Sequence, residues 1–328
     1  MTQGLKIPSV GLKPLIGILS PNPNLMPIGG RKKNATLPPI GVEWSAVTLP
    51  GTTPAYSSIA ASGTTLVAVA EGSNQAARSV DNGETWSAVT MTASRTWFDV
   101  AASGNTFIAV AFGVNQADRS TDGGVTWSAV NILVSPNWSS IAVSGTTWVA
   151  VAFSTNQATR STDDGATWSI VNLPASRLWR QVAVSGTTWV AIAQGTDQAA
   201  RSTDDGATWS AITLPSADAW RALGVSGTTW VALIQSAAPA IRSTDNGLTW
   251  SAITLPAGRN WASVAARGRT WIAVADEATD QGAISTDDGL TWSAITLPSA
   301  LNRRAVAANA TAVVAVAYGN VQGARSIS

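Results

Sequence analysis

Short apolar runs separated by polar, glycine-containing turns recur along most of the chain. Residues 179–213 show the pattern: Trp-Arg-Gln-Val-Ala-Val, Ser-Gly-Thr-Thr, Trp-Val-Ala-Ile-Ala, a polar turn, Ala-Arg-Ser-Thr, a second turn and Trp-Ser-Ala-Ile-Thr. Each run has about five residues, an ordinary strand length, and no helix-length periodic segment interrupts them. The first two runs are small and apolar, as expected of strands buried on both faces. The pattern predicts four β-strands in each copy.

The copies share the motif Ser-x-Asp-x-Gly-x-Thr-Trp. It begins at Ser79, Ser120, Ser161, Ser202, Ser243 and Ser285, so successive copies are 41 or 42 residues apart. A period near 40 residues fits either a four-stranded propeller blade or a pair of helices. The β-rich runs favour the blade.

The two ends of the repetitive region complement each other. Residues 303–318 and 324–328 supply three further strand-like runs, and the missing fourth run lies at the front, in residues 43–48. We therefore predict an all-β fold, a seven-bladed β-propeller of four-stranded antiparallel blades that spans residues 41–328. Residues 41–50 are expected to complete the last blade, residues 303–328, because pairing the first strand with the last leaves no long unpaired edge.

The eight-residue motif resembles the Asp box, or BNR repeat, of sialidases, photosystem II assembly factors and several bacterial lectins. The resemblance implies a structural hairpin between the third and outermost strands. In such a hairpin the aspartate accepts turn amides, the glycine takes a positive φ and the tryptophan packs between sheets. The residues given this role are Asp81, Asp122, Asp163, Asp204, Asp245 and Asp287.

Composition restricts the chemistry. The chain has no cysteine and no histidine, which excludes Ser-His-Asp and Cys-His catalysis and thiolate or imidazole metal sites. Sialidase chemistry needs a tyrosine nucleophile with a glutamate partner, and neither Tyr56 nor Tyr318 has an evident one. The adjacent acids Asp276 and Glu277 are interpreted as a solvated loop. We predict no catalytic residues, no metal and no cofactor, so the protein is not expected to be an enzyme.

Aromatic and amide residues recur on the face predicted to lie opposite the Asp boxes. Indole faces can stack on sugars and amides can pair with hydroxyls, which makes this set a candidate glycan site. The alternative is that the tryptophans fill the groove between blades and the glutamines satisfy loop backbone, since large aromatic residues mostly pack. The candidates are Trp97, Trp138, Trp179, Trp220, Trp261, Gln75, Gln116, Gln157, Gln198 and Gln281.

Residues 1–40 differ from the rest of the chain. They hold seven of the 15 prolines, no copy of the repeat and no acid, and their cations are Lys6, Lys13, Arg31, Lys32 and Lys33. We predict an extended basic arm that anchors the protein to another subunit. Nucleic-acid binding would call for a denser basic run. No signal peptide and no membrane insertion are predicted, because the apolar run 15–19 is short.

An arm joined to a propeller resembles small propeller proteins of bacteriophage virions, such as tail-fibre or head-decoration components. The resemblance implies a structural or adhesion protein, virion-borne or extracellular, that is held by other virion subunits through residues 1–40. Its propeller face would then meet a host surface or a cell-surface glycan. Two alternatives stay open: a soluble multivalent lectin, and a protein-interaction propeller of the assembly-factor type. A cytoplasmic location is the alternative to the virion.

Overall fold

The computed structural model describes residues 40–327 except residues 53, 134–136 and 236. These residues form strands and turns, and none of them belongs to a helix that could cross a membrane. The first half holds β1 (Ser45–Thr48), β2 (Ala55–Ser62), β3 (Thr65–Ser79), β4 (Ser87–Ser103), β5 (Thr106–Phe112), β6 (Gln116–Ser120), β7 (Ser128–Asn131), β8 (Trp138–Ser144), β9 (Thr147–Ser161), β10 (Ser169–Ser185), β11 (Thr188–Ala193) and β12 (Thr196–Ser202). The second half holds β13 (Ser210–Asp218), β14 (Trp220–Ser226), β15 (Thr229–Ile234), β16 (Ala237–Ser243), β17 (Ser251–Arg259), β18 (Trp261–Arg267), β19 (Thr270–Ala275), β20 (Thr279–Ser285), β21 (Ser293–Leu301), β22 (Arg303–Ala308), β23 (Ala312–Ala317) and β24 (Gln322–Ile327).

The described strands form five sheets, not seven. Three sheets have four strands, in the orders β1-β24-β23-β22, β14-β15-β16-β17 and β18-β19-β20-β21. Two have six strands, in the orders β2-β3-β4-β5-β6-β7 and β13-β12-β11-β10-β9-β8. The all-β propeller prediction agrees with this arrangement, but the prediction of seven separate four-stranded blades is wrong.

Strand continuity explains the difference. The start of β4 pairs with β3, with Ser87 opposite Arg78, and its end pairs with β5, with Ser103 opposite Thr106. The run predicted to end one blade and the run predicted to begin the next therefore form one continuous strand. β10 connects β9 and β11 in the same way. Each of these strands merges two units of the repeat into one hydrogen-bonded sheet.

The strands that begin the copies contact one another in a cycle. Its order is β2, β4, β8, β10, β14, β18, β22 and back to β2. The chain also meets itself in the first sheet, where β1 pairs antiparallel with β24 from Ser45 opposite Arg325 to Thr48 opposite Gln322. The Gly41 amide donates to Ser326 Oγ at 2.8 Å beside this pairing.

The core consists of clusters shared by neighbouring copies. In one of them Val67 and Val69 of β3 pack with Trp97 of β4 and Phe107 of β5, and all four side chains are buried. Small alanine and valine side chains allow the inner strands to approach closely. Ile40, the last residue of the predicted arm, is buried in a similar cluster with Ile272 and Ile284. The predicted anchoring residues Lys6, Lys13, Arg31, Lys32 and Lys33 lie outside the described residues.

The repeated motif forms a hydrogen-bonded turn. Ser161 Oγ donates to Asp163 Oδ1 at 2.7 Å and accepts from the Gly165 amide at 2.9 Å. The Thr167 amide donates to Asp163 Oδ1 at 2.8 Å, Trp168 Nε1 donates to the Gly165 carbonyl at 3.1 Å, and Gly165 has φ +79°. The serine and threonine contacts recur at Asp81, Asp122, Asp204, Asp245 and Asp287. Each of the six aspartates therefore accepts hydrogen bonds within its own turn.

Arginines tie each turn to the preceding copy. Arg160 Nε donates to the Asp205 carbonyl at 2.8 Å, and Arg201 Nε donates to the Asn246 carbonyl at 2.8 Å. Because the acceptor residue has a positive φ, near 60°, its carbonyl lies outside the ladder and is open to this donor. The same bond is made by Arg78, Arg119, Arg242 and Arg325.

Candidate binding site

A cavity of about 240 Å³ lies where the strands that begin the copies converge. Their hairpin turns hydrogen-bond to the motif turns, as the Asn82 amide does to the Thr64 carbonyl at 3.0 Å. The cavity is at the opposite ends of the same strands. It is lined by Ser57, Ser58, Glu71, Phe98, Asp99, Ser139, Ser140, Arg180, Gln181, Arg221, Ala262, Ser263, Arg304 and Ala305.

One layer of the lining connects neighbouring copies. Ser140 Oγ accepts from the Val182 amide at 3.3 Å, and Gln181 Oε1 accepts from the Leu223 amide at 2.9 Å. Each of these side chains therefore accepts a hydrogen bond from a backbone amide of the next copy. This layer is the floor of the cavity and has a structural role.

Asp99 is the acidic member of that layer. Its carboxylate accepts hydrogen bonds from Ser58 Oγ at 2.7 Å, Ser140 Oγ at 2.8 Å and the amides of Val100 and Ile141, each at 2.9 Å. Burial raises the pKa of Asp99, while the four donors act in the opposite direction. With all four donors in place, this carboxylate has little capacity left for a ligand.

A charged cluster occupies one side of the cavity. Arg304 pairs with Glu71 at 2.7 Å and with Asp276 at 3.0 Å, and Arg221 pairs with Asp276 at 2.7 Å. The Arg304 guanidinium also lies 3.8 Å from the Tyr318 ring centroid. The Tyr318 hydroxyl donates to Glu71 Oε2 at 3.4 Å, so the prediction that this tyrosine lacks a glutamate partner is wrong. The Asp276 side chain is only 12% exposed, so its interpretation as part of a solvated loop is wrong. Two arginines and two acids neutralise each other here.

Arg180 differs from these arginines. No described residue forms a hydrogen bond or an ion pair with its guanidinium, which lies 4.9 Å from the Phe98 ring centroid and 5.7 Å from that of Phe153. Burial, and then the like charge of Arg221, lower the pKa of Arg180 to about 10, so the group stays protonated at neutral pH. Arg180 is therefore a cation in the cavity lining that has no direct hydrogen-bond or ion-pair partner among the described residues.

Phenylalanines form the other side of the mouth. Phe98 and Phe153 meet edge to face, with ring centroids 5.9 Å apart and planes at 87°. Phe112 packs on Phe153 at 6.3 Å and is 42% exposed. Three of the chain's four phenylalanines thus lie together. We call Phe98, Phe112 and Phe153 the phenylalanine cluster.

The predicted glycan candidates are divided between the interior and the surface. The five tryptophans are 0–1% exposed and belong to the core clusters, so their indole faces have no contact with solvent. The glutamines are exposed or half-buried, and three of them accept hydrogen bonds from arginines. The pairs are Arg95 with Gln116 at 2.6 Å, Arg259 with Gln281 at 2.5 Å, and Arg177 with Gln198.

Sequence reasoning missed the cavity, although a signal for it exists. The residue after each blade-entry position differs between copies: Ser57, Phe98, Ser139, Arg180, Arg221, Ala262 and Arg304. A second variable position follows the apolar segment of the next strand: Glu71, Phe112, Phe153, Gln194, Gln235, Asp276 and Tyr318. Variation at these two positions distinguishes the copies from one another around the cavity.

The described residues contain no group of acids that could hold a metal ion. No protein-family model matches the chain, and no curated protein matches it. Solved structures do. A streptogramin B lyase superposes with a TM-score of 0.74 at 13% identity, over 87% of this chain and 98% of that one.

The chain folds as a β-propeller. The assembly factor YCF48 bound to a D1 peptide gives a TM-score of 0.69 at 16% identity, over 87% of this propeller's chain and 97% of YCF48. The virginiamycin B lyase of Staphylococcus aureus gives 0.74 at 11% identity, over 87% and 99% of the two chains. At these identities the similarity concerns the fold alone.

Proposed function

We propose that this β-propeller is a non-catalytic protein-binding module that holds a partner chain at the cavity mouth. The observation that carries the proposal is the juxtaposition of an unpaired guanidinium, that of Arg180, with the phenylalanine cluster. A partly dehydrated cation without an ion-pair partner and an exposed aromatic patch both gain from contact with a ligand. Arginine and aromatic residues are also typical of the central residues of protein interfaces.

Residue chemistry supports binding over catalysis. One lyase structure is a catalytically inactive form in which a histidine is replaced by alanine, with quinupristin, and the present chain contains no histidine. The acids in and beside the cavity are also engaged, Asp99 with serines and amides, and Glu71 and Asp276 with arginines. A carboxylate held in this way is a poor general base.

A peptide is a reasonable form for the partner. YCF48 was solved with a D1 peptide, which is a property of YCF48, but it illustrates that a propeller of this fold can bind a peptide. The cavity of about 240 Å³ admits one or two side chains and not a folded domain. This agrees with the assembly-factor alternative drawn from the sequence.

A peptide array tests the proposal. Full-length protein would be applied to an array of random peptides with free carboxyl termini, beside the variant Arg180→Gln/Phe153→Ala and the control Arg269→Gln. Arg269 is exposed in the turn between β18 and β19, so this control removes a positive charge away from the cavity. We expect peptides that are retained by the wild type and the control but lost by the cavity variant. Identical peptide sets for all three proteins would reject the proposal.

The virion role is a narrower version of this proposal. The basic, proline-rich composition of residues 1–40 supports an anchor in an assembly, and the cavity face would then point outward. Glycan binding at the propeller face and an extracellular location are further parts of this narrower proposal. Imaging of native particles with an antibody to residues 1–40 would test the anchor, and an epitope that stays accessible in every assembly would count against it.

A further inference from the structure

Arg180 has the hydrogen-bond donors of an anion receptor. Its guanidinium carries five N–H donors, and no described residue accepts from any of them. Phe98 and Phe153 lie against it and interact through their rings, which provide no hydrogen-bond acceptor of ordinary strength. An oxyanion with two oxygens matches the planar fork of a guanidinium.

The surrounding charges favour an anion of low charge. Arg221 and Arg304 are already paired with Glu71 and Asp276, and the acid Asp99 also lines the cavity, so Arg180 is the lining guanidinium that has no direct acidic partner among the described residues. These acids would repel the second negative charge of a phosphate dianion more than they repel a carboxylate. The site therefore suits a monoanion.

The phenylalanine cluster favours a ligand with an apolar or aromatic group beside its anionic group. Phe98 lines the cavity beside Arg180, and Phe153 and Phe112 extend the apolar surface outward to an exposed ring. An anion bound to Arg180 therefore has an aromatic wall within one side-chain length. A ligand with an apolar or aromatic group next to its carboxylate would bury both groups at once.

We infer that the cavity binds a peptide carboxylate flanked by an apolar or aromatic side chain, with the carboxylate on Arg180 and the side chain on the phenylalanine cluster. The inference rests on the proposed function and adds the ligand chemistry. The carboxylate could belong to a chain terminus or to an acidic side chain, and both supply the same oxyanion.

Calorimetric titration of the full-length protein with four short peptides tests the inference. The first is Gly-Ser-Gly-Ser-Phe with a free carboxyl terminus, and the second is its carboxamide. The third is the amidated Gly-Ser-Glu-Phe-Ser, which moves the carboxylate to a side chain. The fourth is the free acid Gly-Ser-Gly-Ser-Gly, which lacks the aromatic group.

We expect the first peptide to bind about tenfold or more tightly than its carboxamide, which is the value of one charge-assisted hydrogen bond. Arg180→Gln should abolish this preference and Arg269→Gln should leave it unchanged. Phe98→Ala/Phe153→Ala should weaken the first peptide but not the fourth. Comparison of the first and third peptides assigns the carboxylate to a terminus or to a side chain, and tight binding of either one supports the inference.

Other results would overturn it. Equal affinity of acid and carboxamide for the wild type is one, and an acid preference that survives in Arg180→Gln is another. Displacement of the first peptide by inorganic phosphate at lower concentration than by acetate would reject the monoanion argument. Arg180→Lys, which keeps the charge and loses the fork, provides a second variant if the glutamine variant does not fold.

The two proposals fail in different ways. If array peptides depend on the cavity but do not require a carboxylate, the ligand chemistry proposed here is wrong and protein binding stands. If no peptide depends on the cavity, the proposed function itself is wrong.

Discussion

The Nε atom of Arg325 donates to the backbone carbonyl of Asn82 at 2.8 Å, across 243 residues of sequence. Arg325 lies in the last strand, and Asn82 lies in the first complete motif turn. Arg201 makes the same bond, also at 2.8 Å, to Asn246 in the next copy. The contact that joins consecutive copies inside the chain therefore also joins its two ends.

Removal of the Arg325 side chain should destabilise the protein as much as removal of Arg201, which makes the same bond between two internal copies. Arg325→Ala and Arg201→Ala each leave a carbonyl without its partner, and we expect each to lower the free energy of unfolding by about 1–3 kcal/mol. Urea unfolding followed by tryptophan fluorescence measures the effect, and Arg269→Ala is the exposed control. A loss for Arg201→Ala with none for Arg325→Ala would mean that the ends are not held in this way.

Substitution of two glycines by alanine can distinguish the free-energy cost of a left-handed backbone from the cost of a steric clash. Gly145 and Gly165 both have positive φ, and a Cβ at Gly145 would meet nothing within 4 Å. A Cβ at Gly165 would lie 2.1 Å from Ile108 Cδ1. We expect Gly145→Ala to cost about 1–2 kcal/mol for the left-handed conformation and Gly165→Ala to cost about 1–3 kcal/mol more.

The variant Ile108→Val removes the clashing methyl group and tests this assignment. In that background Gly165→Ala should cost less than it does in the wild type, a non-additivity expected of residues in contact. Thermal unfolding of the four proteins gives the comparison. Equal costs in the two backgrounds would assign the whole effect to the backbone.

Much of the fold could be predicted because it depends on repeated local chemistry. The Ser161–Asp163–Gly165 turn is specified by residues four apart or less, and the apolar runs on either side of it fix the strands. The merging of sheets could not be predicted in this way. Whether β4 breaks or continues between Ser87 and Ser103 depends on its pairing with β3 at one end and β5 at the other, and both are tertiary contacts.

The candidate site illustrates a different limit. Trp179 is prominent in the sequence because it recurs, but recurrence here reflects a packing position that every copy must fill. Arg180, the next residue, does not recur, so the repeat pattern gives it no prominence. In a repeat protein the shared positions build the scaffold, while the divergent positions carry the particular function.

Acid should destabilise the fold between about pH 4 and pH 2. Hydrogen bonds from the Thr167 hydroxyl, the Thr167 amide and the Ser161 hydroxyl lower the pKa of Asp163 from its usual 3.8 to about 2, and Asp204 is lowered to about 2 in the same way. The unfolded chain therefore binds more protons than the folded chain in this range, so stability is lost as the pH falls. Burial raises the pKa of Asp99, and this residue acts in the opposite direction.

Thermal melting at pH 7, 4, 3 and 2 measures the dependence. Asp163→Asn cannot titrate, so its midpoint should fall less between pH 4 and pH 2 than that of the wild type. The exposure of these carboxylates to solvent means that each contributes modestly, and the six turns act together. A midpoint that is constant across this range would contradict the assignment.

Asp99 should be intolerant of a neutral isostere. Asp99→Asn places an amide N–H₂ group among the hydroxyls of Ser58 and Ser140 and the amides of Val100 and Ile141, which all donate. At least one buried donor loses its acceptor, and we expect the free energy of unfolding to fall by about 1–3 kcal/mol. Ser140→Ala removes one donor and keeps the carboxylate, so it should cost less. The prediction fails if the two variants are equally stable.

Glycan binding, if present, should depend on the glutamines and not on the buried indoles. Trp179 is 1% exposed, and its replacement by alanine is expected to cost about 3–5 kcal/mol of stability, so loss of binding in Trp179→Ala would report unfolding. Gln198 is half-buried at the surface, where Arg177 donates to it, and Gln198→Ala should leave the fold intact. A glycan array with Gln198→Ala, Gln116→Ala and the wild type is therefore the discriminating measurement. Sugar signals that persist unchanged in both glutamine variants would exclude these amides as the contact.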